Sequence, residues 1–177
     1  MKKTIINTSL ILTAIFLYFL QANFFSWFNI AGIMPNIFII FILLIGLFGN
    51  RTMGSIYGFV IGLLLDLIIG VKIGINAIGL VLIGFLAAIF DKNFSKDSRM
   101  TIMVMVVVAT VIFEVLSYLL HYIFMANSIE IINFIKILII EVIYNLIITI
   151  IVYPLMQKAG YYIENEYKGN KSLTKYF

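Results

Sequence analysis

The residues able to do chemistry in this chain lie inside apolar runs. Glu114, Ser117, Tyr118 and His121 follow a spacing of three and four, which puts them on one face of a helix. Glu141, Asn145 and Thr149 repeat every four and form a second such face. Asp66 stands apart, in the stretch "GSIYGFVIGLLLDLIIGVKIG" (54–74). Groups of these types could relay a proton, hold a polar ligand, or satisfy one another as a buried hydrogen-bond network. The network is the reading we adopt, with Asp66, Glu114, His121, Glu141 and Asn145 as its members. Catalysis is not expected: there is no cysteine, no histidine pair to hold zinc, and a hydroxyl four residues from the lone His121 is common in helix packing. No metal and no cofactor are called for.

The elements that must position these groups are membrane helices. Of 177 residues 63% are hydrophobic and 11% charged, and the mean hydropathy is +1.14, which a soluble domain cannot keep from water. A crossing of ~30 Å of hydrocarbon takes ~20 apolar residues. That rule predicts six spans, near 4–22, 30–49, 53–70, 74–90, 101–125 and 132–156. The first lacks a small-x-small cleavage site and reads as a retained helix rather than a signal peptide. The second contains Pro35-Asn36, with Pro35 suited to a first turn, and "NFFSWFNIAG" before it has the composition of a membrane interface.

Six spans with both termini in the cytoplasm place Lys2, Lys3, Arg51, Lys92, Lys96, Arg99, Lys158, Lys168, Lys171 and Lys175 inside. Only Lys72 and Lys136 then fall outside, as the positive-inside rule requires. The chain therefore reads as one membrane domain over residues 1–157 and a cytoplasmic tail, 158–177, whose tyrosines and lysines suit a lipid surface.

Gly54, Gly58, Gly62, Asp66, Gly70 and Gly74 recur at a spacing of four. Small residues along such a band let another backbone approach, so Gly54, Gly58 and Gly62 are read as helix-packing positions. A dimer contact or a substrate groove are the alternatives. Gly70 and Gly74 fall in a short outer turn, where they permit a sharp reversal. A carboxylate in the bilayer costs ~2.5–3.5 kcal/mol, so Asp66 needs partners. Depth alone suggests His121 and Glu141.

The run from Met34 to Phe90 resembles the rod shape-determining protein MreD family: Pro35-Asn36, Gly46, Gly54, Gly58-Phe59, Gly62-Leu63, Asp66, Gly70, Gly74, Asn76-Ala77 and Gly84-Phe85 stand in the family's order. The resemblance implies a non-catalytic subunit of the bacterial cell-elongation machinery in the inner membrane. Its implied partners are an MreC-like protein and, through it, the MreB filament and the RodA–transpeptidase pair that builds lateral peptidoglycan. The lipid bilayer completes the list, and nucleic acid is not expected. The family is also similar in fold to the S components of energy-coupling-factor transporters, so a vitamin-binding S component is the alternative. Those subunits dock through Ala-x-x-x-Ala on the first helix, and here Ala14 is followed by Tyr18.

Overall fold

Uninterrupted apolar sequence makes this chain helical almost throughout, and the breaks fall where polar residues, glycine or proline accumulate. The computed structural model describes residues 2–69, 72–93, 96, 98–125 and 130–168. Helix α1 (Lys2–Phe19) runs into a wider π-helical turn, Leu20–Phe24, and a last turn, α2 (Phe25–Trp27). Then follow α3 (Ile37–Phe48), α4 (Arg51–Ile69), α5 (Ile75–Asn93), α6 (Arg99–Met125) and α7 (Ile131–Tyr167). The segment Lys2–Trp27, α4, α6 up to Phe124, and α7 are long and apolar enough to cross a membrane. The chain is a membrane protein.

The second predicted span is corrected by the structure. Its helix is only the 12 residues of α3, a rise of roughly 18 Å. Residues 28–36 instead form a reversal in which Ile30 and Ile33 exchange backbone hydrogen bonds and Ala31 and Gly32 take positive φ. Pro35 cannot extend a helix backward through its missing N–H, and it biases Met34 away from helical geometry. Trp27 at the tip of this segment is 88% exposed, and Phe24, Phe28 and Ile30 are exposed beside it. No charged residue occurs between Lys3 and Arg51, so nothing in the sequence resists placing that reversal at a lipid interface.

Every residue of α3 is buried. A helix that is apolar all round can only be stable with neighbours on every side, and α1, α4, α5, α6 and α7 all pack on it. The closest packing is between α4 and α5. A Cβ on Gly58 would lie 2.3 Å from the Leu80 carbonyl oxygen, one on Gly62 2.5 Å from Ala77 Cα, and one on Gly84 2.2 Å from the Gly54 carbonyl oxygen. Gly46 of α3 joins the same contact, since its Cβ would meet both Ala87 and Gly84 at 2.6 Å. At Gly54, Gly58 and Gly62 the band is thus filled by backbone of this same chain.

Helix α7 has 37 residues and continues through Pro154, well past residue 157. Its last turns pack back on the bundle: Ile163 is 3% exposed, and a Cβ on Gly160 would strike the Phe48 ring. At the same end, Tyr167 donates to Asn7 Oδ1 at 2.5 Å and Lys2 lies 3.4 Å from Glu166. The first and last helices therefore meet at one end of the bundle, which also carries Lys96 and Lys168.

Candidate functional site: buried helix caps and a polar wedge

Two helices of this bundle begin inside it, and a buried helix start leaves orphan N–H groups that water cannot reach. Helix α5 is one. Asp66, 2% exposed, approaches its N-terminus from α4 and accepts four hydrogen bonds. Oδ2 takes the N–H of Gly74 at 2.8 Å and of Ala77 at 3.1 Å. Oδ1 takes the backbone N–H of Asn76 at 3.0 Å and its side-chain amide at 2.9 Å. A carboxylate with two donors on each oxygen, at the positive end of a helix dipole, is stabilised without a counter-ion. Gly74 makes this possible by turning the chain at φ +112°, a conformation that favours glycine.

This overturns the partners inferred from depth. Asp66 is anchored by the helix that follows it, and its four hydrogen bonds involve neither His121 nor Glu141. Of the motif positions, Gly74 and Gly84 are in contact with this unit, whereas Gly70 lies outside the described residues.

Helix α3 is the other. Pro35 has no N–H to satisfy, the Asn36 N–H donates to Asn145 Oδ1 at 2.9 Å, and the Ile37 N–H donates to Gln21 Oε1 at 3.1 Å. Asn145, fully buried on α7, donates its amide in turn to Thr110 Oγ1 on α6 at 3.0 Å. One side chain thus ties the start of α3 to α6 and α7. Gln21 was not singled out by sequence reasoning; the π-helical turn that carries it shows no pattern in composition.

The remaining polar groups meet between α6 and α7. Glu141 is 6% exposed and lies within hydrogen-bonding reach of Glu114 and Asn145, while Glu114 lies near His121. His121 Nδ1 is 2.8 Å from the Ser117 carbonyl oxygen; a carbonyl only accepts, so Nδ1 carries the hydrogen. Yet Ser117 Oγ, Tyr118 OH and Glu141 Oε1 are buried without a hydrogen-bond partner. Beside them opens a cavity of about 540 Å³, lined by Glu114, Ser117, Tyr118, His121, Glu130 and Phe134 among others. A second, of about 290 Å³, shares Glu114, Ser117 and His121 and reaches Asp66 and Asn76. The structure therefore brings Glu114, His121, Glu141 and Asn145 together. Asp66 touches this group only across the second cavity.

A cluster the sequence reading passed over closes the opposite end. Lys96 donates to Asp91 at 2.8 Å and to Glu164 at 2.5 Å, and Lys168 donates to Asp91 at 2.5 Å and to the Leu47 carbonyl oxygen at 2.7 Å. Burial alone would raise the Asp91 carboxyl, but the hydrogen bonds from Lys168 and Lys96 outweigh it and hold the group below its ordinary 3.8. Burial would lower the Lys96 ammonium, and its bonds to Asp91 and Glu164 instead hold it above 10.5. Counting these residues by sign for topology hid the fact that they pair.

Among the described residues no three His, Cys, Asp or Glu side chains converge as metal ligands would. Neither the curated proteins nor the solved structures include a match to the chain. The family model described as rod shape-determining protein MreD matches residues 1–159, which takes in both buried caps and the polar wedge. By that match, the chain belongs to the MreD family.

Proposed function

We propose that this protein is a non-catalytic subunit of the bacterial cell-elongation complex, seated in the inner membrane with both termini in the cytoplasm. Membership of a family of shape-determining membrane proteins, not known as enzymes, is the observation that carries this reading. The meeting of the first and last helices at the lysine-bearing end supports the shared side of the termini. A core knit by backbone contacts and buried caps suits a part that holds a position rather than one that turns over a substrate.

The partners in this reading are an MreC-like protein and, through it, the MreB filament and the RodA–transpeptidase pair. Depletion in the native host should round or swell the cells, and affinity purification should recover an MreC-like protein. Normal shape on depletion, with no such protein recovered, refutes the reading.

A further inference from the structure

Helix α1 is held loosely against the bundle. Of its 18 residues only Ile6 and Leu10 are buried, and between it and α4 runs an apolar groove of about 550 Å³. Ala14 and Tyr18 of α1, Val60 and Leu64 of α4 and Phe38 of α3 are among its walls. From Asn7 to Tyr18 on one side, and from Tyr57 to Ile68 on the other, it extends roughly 17 Å. Half of a hydrocarbon core of ~30 Å is ~15 Å, so the groove has the length of one leaflet.

Its mouth is polar and lies where the first and last helices meet. Tyr167 donates to Asn7 Oδ1, Tyr57 stands near Tyr167, and Lys3 Nζ is 5.4 Å from the centre of the Tyr167 ring. The Asn7 amide nitrogen and the Tyr57 hydroxyl form no hydrogen bond with the described residues. The carboxylates described at this end are already taken, Asp91 and Glu164 by Lys96 and Lys168, and Glu166 by Lys2. Lys3 pairs with none of them.

An ammonium, an amide NH₂ and a phenol O–H are donors looking for an acceptor. A phosphate answers all three and brings the negative charge that Lys3 lacks, while the groove beneath asks for hydrocarbon of one leaflet's length. We propose that the α1–α4 groove binds one phospholipid with an anionic headgroup, its phosphate against Lys3, Asn7 and Tyr57 and an acyl chain running toward Tyr18 and Ile68. The sign of the headgroup follows from the mouth: the Lys2–Glu166 pair is neutral and Lys3 leaves one positive charge over. The site is independent of the shape-determining reading, because it asks nothing of the partner proteins.

The test is native mass spectrometry of the full chain in detergent, titrated with dioleoyl phosphatidylglycerol and separately with dioleoyl phosphatidylcholine, which has the same chains and no net charge. One phosphatidylglycerol should bind in preference to phosphatidylcholine. Lys3→Gln should weaken phosphatidylglycerol binding about fivefold, the worth of one basic residue at an anionic lipid surface. Lys158→Gln removes an exposed cation of α7 that does not line the groove and should leave binding unchanged. Val60→Trp, at a half-exposed position on the groove wall, should weaken both lipids about tenfold by denying room to two or more methylenes, with the melting temperature of the lipid-free protein unchanged. Equal losses in Lys3→Gln and Lys158→Gln reduce the effect to a general attraction and overturn the proposal, as do equal affinity for the two lipids or undiminished binding in Val60→Trp. A protein dimer that retains no lipid and is broken by Val60→Trp overturns it too, with a second copy as the occupant.

Discussion

The α4–α5 and α6–α7 pairs are built on opposite terms. Between α4 and α5 the backbones touch, no space remains for a single added methyl at Gly58, Gly62 or Gly84, and the one buried carboxylate has all its lone pairs occupied. Between α6 and α7 the side chains are large, the helices stand apart around cavities, and three polar atoms have nothing to bind. Polarity in the first pair is spent on fixing the fold. In the second Asn145 is spent in the same way on Thr110 and Asn36, but Ser117, Tyr118 and Glu141 each keep an atom unbonded.

The largest effect that would test this contrast is expected from Gly58→Leu. Its side chain must start 2.3 Å from a backbone oxygen, and backbone cannot move aside, so the loss should exceed about 4 kcal/mol and show as failure to accumulate in the membrane. Wild-type accumulation and melting would mean that α4 and α5 are not the rigid pair. Next comes Asp66→Leu, which strands the buried donors of α5 and should cost about 4 kcal/mol, with Asp66→Asn at about 2 kcal/mol. The amide is no innocent replacement, because its NH₂ points at N–H groups that need acceptors. Thermal melting in detergent that ranks Asn with wild type would show that four donors are not essential.

A smaller effect is expected at the lysine-bearing end. Asp91→Asn should cost about 1 kcal/mol at neutral pH, given its partial exposure. The sign of the pH dependence follows from a lowered acid: Asp91 favours folding above 3.8, and that contribution is lost as pH falls through its depressed value. Wild type and variant should therefore melt alike well below pH 3.8. Lys96, raised above 10.5, contributes below that value and loses its contribution as pH rises beyond it. The smallest effect belongs to the α6–α7 pair: Tyr118→Phe removes a hydroxyl that bonds to nothing and should shift stability by less than about 0.5 kcal/mol. A clear loss there would place that hydroxyl in the structural network after all.

How far these pairs could be foreseen depended on what kind of atom did the work. The helices, the glycine band and the need of Asp66 for company follow from side-chain types and spacing, which a sequence prints. Depth put Asp66, His121 and Glu141 in one layer, but depth carries no information on which way a helix is turned. The groups that satisfy Asp66 are mostly main-chain N–H groups of Gly74, Asn76 and Ala77, and every residue except proline has one. Pro35 did announce the start of α3. That Asn145, more than a hundred residues later, would cap it required the fold.

The length of α7 carries a mechanical consequence. Its 37 residues extend about 55 Å, so one continuous rod lines the cavity near Phe134 and also carries Glu164 in the lysine-bearing cluster. Between these two points sits Pro154, which removes one rung of the helix ladder without ending the helix. What seats Phe134 at one end of the bundle therefore also helps to set the place of Glu164 at the other.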